Sequence, residues 1–572
     1  MIASCLGLSG YAQAADFQWD PGHTPTTPSG GVGTWNTTTS DWSNGIADSA
    51  WVNASNTAIF GGATGGLVTI NTGATGVTVG GLTFNATTDT STYTIAGGAS
   101  ELLTLNSGTI ITTNADAAIS AVLAGSNGFT KAGSGKLTLS GNNTGLSGAV
   151  LVNAGTLSAA IATGANPFGS GAINLAGGTL DLTPTATNTT GIQGRVFTLG
   201  ATQNDTANIN FGLNAGSVRS DTTINIANGT SVAANTAIQW LGKIKITSGG
   251  SYQFLTTSDD GSRVFIDGVL VLNNDGGKGT GTFNGGISVN LDAGYHEIRV
   301  DYDNGTGNSG VTLNYKGPDT ANASVLVPSS VLFRAESMTT AAASTAVIVG
   351  SGIGNALNVS GTSGLSLNGT DYTQVQFGNA SLATGSTLNV TTGGALGKGV
   401  AAAGTFTLGS GTAGTATLNS AADFYVDGAA GDGGVAMTLA KLGTGRLVFG
   451  QTAVANTLGS TSTLDIQAGT LTLVGSSETG AFNPIGSAKI KLNGGNLVLD
   501  TKIGGATYAN AIDVTANATI QDVATASTTT LSGPISIPTG NTLTLDALAG
   551  GNPASSLGAT LRLSARSPGR AT

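Results

Sequence analysis

Cysteine is all but missing from this 572-residue chain: Cys5 stands alone, so a disulfide framework is excluded. Charge is scarce too, since Lys, Arg, Asp and Glu make up 9% of residues against about 25% in an ordinary soluble domain. The shortage of Glu, Lys and Arg, the charged helix formers, argues against helical or doubly wound architecture. Imidazole is limited to His23 and His296, and no Ser-His-Asp set, zinc spacing or phosphate loop accompanies them. With a net charge of −10 and no basic cluster, nucleic acid is not an expected partner. No window approaches the ~20 apolar residues of a membrane helix, so no such span is expected within this chain.

What is present is glycine, 91 of it, with 12 prolines, together about 18% of the chain. That share is below the ~25–30% that marks low-complexity disorder. Hydrophobic residues reach 39% and the mean hydropathy is +0.18. A disordered chain needs the reverse, low hydrophobicity and high charge. Residues 1–15 end in Ala12-Gln13-Ala14, the small-x-small form of a signal-peptidase site behind a short apolar stretch. They are expected to be the remainder of an export leader; the competing readings are a lipid anchor at Cys5 and a disordered tail. At the other end, residues 561–572 gain three arginines and lose the texture of the preceding chain, as a truncated or frame-shifted tail would.

Two distant stretches repeat one another. The first reads Lys131-Ala-Gly-Ser-Gly-Lys-Leu137-Thr-Leu139, then Asn153-Ala-Gly155-Thr156-Leu157, then Asn166-Pro167 and Gly177-Gly178. The second reads Lys441-Leu-Gly-Thr-Gly-Arg-Leu447-Val-Phe449, then Gln467-Ala-Gly469-Thr470-Leu471, then Asn483-Pro484 and Gly494-Gly495. Short alternating strands punctuated by Gly and Asn cannot bury their apolar face alone, so neighbouring rungs must stack. The expected fold is all-β: a right-handed parallel β-helix over residues 16–190 and 336–560. The motif resembles the autotransporter-associated β-strand repeat, nearly complete from Lys131 to Leu157, with a degenerate copy from Lys441. Trp19, Trp35, Trp42 and Trp51 resemble the capping start of such proteins, and packing over the first rung is their expected role.

Composition changes over residues 191–335. Alternating segments such as Gly250–Thr256, Arg263–Ile266 and His296–Tyr302, with a hairpin signal at Asp267-Gly268, predict an antiparallel β-sandwich inserted into the helix. The order Trp240-Leu-Gly242, Ser258-Asp259-Asp260-Gly261-Ser262-Arg263, Ile266-Asp267-Gly268 and Leu291-x-Ala-Gly294-x-His296 resembles the PA-fourteen domain, named from a toxin's protective antigen.

That resemblance implies a site. In its lectin-like members, consecutive aspartates joined by a cis peptide hold Ca²⁺, which binds sugar hydroxyls. Adjacent strand side chains point to opposite faces, so two neighbouring carboxylates share a cation only where the backbone leaves strand geometry. Ca²⁺ takes six to eight oxygens, and vicinal hydroxyls suit its open positions. Carried over, Asp259, Asp260 and Asn304 are the expected metal ligands, with Asp303, Asp275 and Asn308 as further metal or glycan contacts. Asp-Asp-Gly is equally ordinary turn chemistry, and Asp267 is expected to form a turn. The leading expectation is an exported bacterial surface or secreted adhesin whose β-helical stalk displays a Ca²⁺-dependent carbohydrate-binding module. A purely structural passenger or matrix protein is the alternative. A polysaccharide-cleaving β-helix stands third, because the solenoid segments show no recurrent acid pair; no enzyme is expected.

Overall fold

The computed structural model describes residues 14–73, 75–161, 166–184, 189–200, 202, 206, 209, 211, 215–267, 269–283, 286–334, 349–352, 354–368, 374–392, 399–402, 404–450, 456–475, 484–501, 506–522, 529–547 and 562–563. Most of the expected leader, with Cys5, and most of the C-terminal tail lie outside the described residues, as does Gly268. Among the described residues there is no α-helix, and helical structure is limited to short 3-10 turns such as Pro318–Thr320. The all-β class and the parallel solenoid are as the repeats imply. The chain divides into two compact units, Met1–Leu182 and Thr183–Thr572.

In the first unit, parallel strands stack in register. Val68, Ile95, Ile119, Leu139 and Ala159 lie in one inward column through successive rungs, and none is more than 1% exposed. The first rung is closed by a tryptophan cluster. Trp42 lies 4.8 Å from Trp35, 4.8 Å from Trp51 and 5.1 Å from Trp19, centroid to centroid. Trp19 Nε1 donates to Gly31 O (2.9 Å) and Trp51 Nε1 to Thr78 O (3.2 Å). All four rings are buried, so packing is their role.

The repeat motif has a physical cause. Lys131 is fully buried, and its ammonium donates to the carbonyls of Ala132 (2.9 Å), Gly133 (3.0 Å) and Ala154 (3.0 Å). It ties the corner of one rung to the corner of the next. Gly155 closes this nest at φ +64°, where an added Cβ would sit 2.8 Å from Lys131 Nζ and 2.4 Å from Gly133 O. In the second unit Lys441 is buried in the equivalent corner, donating to Leu442 O (2.6 Å) and Gly443 O (3.0 Å) of its own rung, with Gly469 packed over Gly443 O. Burial pulls both lysines down to about 8.

The second unit contains the sandwich and a solenoid of stacked parallel strands. Inward columns are again apolar: Phe424, Leu447, Leu471 and Leu497 lie in register, beside Val426, Phe449, Leu473 and Leu499. The sandwich strands run from Thr189 to Arg334, and its two ends pair with each other, Thr189 opposite Arg334 and Thr190 opposite Phe333. One antiparallel sheet has the order Thr189–Thr190, Leu332–Arg334, Thr236–Ile246, Gly294–Asn304, Ser262–Ile266, Val269–Asn274. The other has Asn225–Gly229, Ser309–Lys316, Gly250–Asp259, Gly281–Phe283. Between them lies one core, with Trp240, Tyr252, Phe254, Val300, Tyr302 and Leu313 among its members. Trp240 Nε1 is satisfied by Asp221 Oδ2 at 2.7 Å.

Candidate functional site

The Gly250–Asp259 strand ends where the chain crosses from one sheet to the other, and Asp260-Gly261 makes that crossing before the Ser262–Ile266 strand. The Asp259–Asp260 peptide is cis. Tyr302 Oη donates to Asp259 O (2.7 Å) and accepts from Gly310 N (3.0 Å), which locks the corner from inside the core. Asp260 N donates to Asp303 O and Asp303 N to Gly261 O, both at 3.1 Å. The aspartate corner is thereby stitched to the end of the Gly294–Asn304 strand.

The same stitching brings Asp260 and Asn304 together. Asp260 Oδ2 accepts from Gly305 N (2.8 Å), the amide next to Asn304, and Oδ1 accepts from Lys278 N (2.9 Å). Asp259 Oδ2 accepts from Thr280 Oγ1 at 3.3 Å. Asn304 is fully buried, and its Nδ2 donates to Val232 O (2.9 Å) and Ala233 O (3.0 Å). Both amide hydrogens are used, so the orientation of the amide is fixed by those two carbonyls. Its Oδ1 is buried without a hydrogen-bond partner among the described residues. A buried acceptor left this way costs free energy, on the order of 1–3 kcal/mol, unless a ligand or water meets it.

The remaining expected residues are placed differently. Asp275 is committed to the fold: it accepts from Thr206 N (2.7 Å) and Thr206 Oγ1 (3.0 Å), with Arg263 Nε 3.8 Å away. Asp303 is fully buried beside it. The Oδ1 atoms of Asp275 and Asp303 lie 2.4 and 2.5 Å from where a Cβ on Gly261 would be, so a side chain at the third position of Asp-Asp-Gly would displace both carboxylates. Asn308 is exposed in the loop beyond Asn304. Asp267 is a turn residue at φ +50°, but its carboxylate also accepts from Glu297 N (2.8 Å) and contacts His296 Nδ1 (2.6 Å).

Three supporting residues carry no signal in the sequence by themselves. Lys278 shapes the loop over the aspartates, its ammonium donating to Asn274 O (2.6 Å), Asp275 O (3.2 Å) and Gly276 O (3.2 Å). Asn274 Nδ2 reaches Ser258 Oγ (3.1 Å) and Thr256 Oγ1 (3.2 Å) beneath the corner. Tyr302 reads in sequence as one more core aromatic. Among the described residues no group of three or more His, Cys, Asp and Glu is placed to share one metal ion. Asp259, Asp260 and Asn304 make a different set, two carboxylates and an amide, all of oxygen donors.

Residues 201–326 match the PA14 domain family. Residues 129–159 match the passenger-associated-transport-repeat. Both resemblances expected from the motifs are thus shown, each over its own stretch. Among curated proteins, the adhesin BmaC autotransporter of Brucella suis biovar 1 (strain 1330) is 44% identical over 161 residues, 27% of this chain. The chain matches only 4% of that relative's length. Among solved structures, an anti-sigma factor domain-containing protein from Clostridium clariflavum is 26% identical over 26% of this chain and 49% of its own, at a TM-score of 0.22. The PA14 sugar-binding domain from an RTX adhesin is 18% identical, over 25% of this chain and 98% of its own, at a TM-score of 0.21. No described helix is long and apolar enough to cross a membrane.

Proposed function

We propose that the chain is part of a secreted or cell-surface adhesin, a β-solenoid that displays a Ca²⁺-dependent carbohydrate-binding sandwich. The observation that carries this reading is the buried, unpartnered Oδ1 of Asn304 beside the Asp259–Asp260 corner. The donor set fits the ion: hard carboxylate and amide oxygens are what Ca²⁺ takes, without nitrogen or sulfur. Asp259, Asp260 and Asn304 are the proposed ligands. Bound there, Ca²⁺ supplies open coordination positions for vicinal sugar hydroxyls. The chain's own part is positional. Gly305 N and Lys278 N each take one lone pair of Asp260 and hold its carboxylate in a single orientation. Val232 and Ala233 fix the Asn304 amide, and the loop from Asp275 to Thr280, whose Lys278 N and Thr280 Oγ1 bond the two aspartates, offers the polar rim. Support also comes from the PA14 match over residues 201–326 and from the curated relative, an autotransporter adhesin.

The test is an oligosaccharide array probed with the full chain in Ca²⁺ and in excess chelator. Binding to a defined set of glycans that disappears with chelator is expected. An array without signal in Ca²⁺ would instead favour the structural passenger, and a signal indifferent to chelator would remove the metal from the account.

A further inference from the structure

Outward positions of a solenoid ordinarily carry side chains suited to water. One outward row in the second unit does so, with Lys491 and the exposed Asp513 in register beside Asp465, and the Lys491–Asp465 ion pair at 3.1 Å. The row on the Asp423–Val426, Arg446–Phe449, Thr470–Gly475 and Asn496–Thr501 strands is different. Its outward residues are Tyr425, Val448, Thr472 and Val498, and they are 3%, 1%, 3% and 7% exposed. An outer face stays this dry only when it is covered.

The sandwich meets this row at both ends, at Tyr425 and at Val498, and Val448 between them packs with Tyr425 and Val474. Phe265 and Leu270 form one buried cluster with Val498. Around this apolar contact lies a buried ionic network. Arg446 donates to Glu297 Oε2 (2.9 Å), Asp423 Oδ2 (2.6 Å) and the carbonyl of Asp267 (2.6 Å). Tyr425 Oη donates to Glu297 Oε1 (2.7 Å), and Lys243 Nζ lies 3.4 Å from the same oxygen.

The placement of this contact matters. The sandwich begins and ends in paired strands, Thr189–Thr190 and Leu332–Arg334, at one edge of the first sheet. An insertion held only there would pivot, and relative motion is the ordinary expectation for such a joint. The Phe265–Leu270 hairpin belongs to the opposite edge, four strand spacings from Leu332–Arg334 in the sheet order, or ~19 Å. Two attachments that far apart remove the pivot. The contact and the aspartate corner also occupy opposite ends of the same strands. Glu297 lies near the start of Gly294–Asn304 and Asn304 at its end, a span of ~23 Å. Along Ser262–Ile266, Ser262 follows the corner and Phe265 meets the solenoid.

We infer that the Tyr425–Val448–Thr472–Val498 row is a docking seat that clamps the sandwich to the solenoid as one rigid head, with its Asp259–Asp260 end directed away from the seat. The clamp stands on the interface alone; that its outer end meets glycan rests on the proposed function.

Spin labels test it in the full chain carrying Cys5→Ser, Ala323→Cys on the sandwich and Ala436→Cys on the solenoid. Pulsed dipolar spectroscopy of this protein is expected to give one narrow distance distribution. Adding Arg446→Ala and Val448→Asp is expected to broaden it at least about twofold, towards the freely jointed domains that are the default, while the far-ultraviolet β signature stays unchanged. A broad distribution before the interface is altered overturns the clamp, whether or not the substituted protein folds. So does a distribution that stays narrow in a folded Arg446→Ala/Val448→Asp protein. The distances are read without Ca²⁺ or sugar, so failure of the clamp and failure of the glycan reading remain separate results.

Discussion

Arg446 and Glu297 are 149 residues apart in the chain and 2.9 Å apart in the fold, one on a solenoid strand and the other on a sandwich strand. Both are largely buried, with side-chain exposures of 13% and 15%. Removing one partner of such a pair leaves the other charged and uncompensated, a loss of about 3–5 kcal/mol. Glu297→Gln is therefore expected to lower the denaturation midpoint of the second unit, as followed by Trp240 fluorescence. In the same assay Lys491→Met, which breaks a more exposed pair, is expected to change it by no more than about 1 kcal/mol.

The interface carries a pH dependence whose sign follows from three groups. Burial, and then the charge of Glu297, pushes Asp427 up to about 7. The folded protein thus keeps a proton that the unfolded chain gives up from about 4 upwards. Stability should fall as pH rises from there to about 7 and level off above. His296, although burial opposes it, is raised by its bond to Asp267, and its contribution is likewise lost as pH rises past its ordinary value. Glu297 acts in the other direction: burial would raise it, but Lys243 and Arg446 hold it at about 2, so its contribution is full above its ordinary value and lost as pH falls from there to about 2. Thermal unfolding of the second unit should be most resistant at mildly acidic pH. Asp427→Asn should flatten the decline towards neutral; a midpoint that climbs from pH 5 to 8 would contradict this assignment.

The lysine nest predicts an ordering of glycine substitutions. Gly155 and Gly73 share a positive φ, +64° and +68°, so alanine strains both backbones alike. Around Gly73 nothing lies within 4 Å of the new methyl, whereas at Gly155 it meets Gly133 O at 2.4 Å and Lys131 Nζ at 2.8 Å. Gly155→Ala should therefore destabilise the first unit well beyond Gly73→Ala in urea titration. Lys131→Met, which strands three carbonyls, should cost on the order of 1–3 kcal/mol. Equal effects of the two glycine substitutions would mean that backbone strain alone selects the motif.

The tryptophan cap makes a simpler claim. Trp42 touches three other indoles and Phe60, so Trp42→Ala opens a cavity at the end of the solenoid and should cost about 3–5 kcal/mol. The loss should appear as amide exchange spreading inward from the Asp16–Trp19 and Thr57–Phe60 strands. Exchange that stays confined to residue 42 and its neighbours would show that the cap does not hold the first rung.

How much of this is legible in sequence depends on whether a residue's partners are local. The rung motif is, because Lys131 and Gly155 answer to carbonyls in their own corner and the next. The aspartate corner is legible as a turn, but its role comes through the PA-fourteen resemblance, because Lys278 and Gly305, which hold Asp260, lie 18 and 45 residues away. The docking seat is not. Arg446 occupies the motif position of Lys136, and both backbone amides bond an aspartate of the preceding rung, Lys136 N to Asp116 at 2.8 Å and Arg446 N to Asp423 at 2.9 Å. Only their side chains part company, Lys136 into water and Arg446 into the sandwich. Tyr425 and Val498 read as alternation noise in Phe424-Tyr425-Val426 and Leu497-Val498-Leu499, since Glu297 meets the one and Phe265 and Leu270 the other. Asn304 was reachable only through the PA-fourteen resemblance, because its orphaned oxygen depends on Val232 and Ala233, 72 and 71 residues away.

The central claim is that Asp259, Asp260 and Asn304 hold one Ca²⁺. Isothermal titration of Ca²⁺ into the full chain, beside Asp260→Asn and Asn304→Ala, tests it most directly. One site in the unaltered protein, lost or weakened at least about tenfold in both variants while each keeps a cooperative unfolding transition in chelator, is the predicted result; tenfold corresponds to about 1.4 kcal/mol. No binding in the unaltered protein, or equal binding in all three, would contradict it.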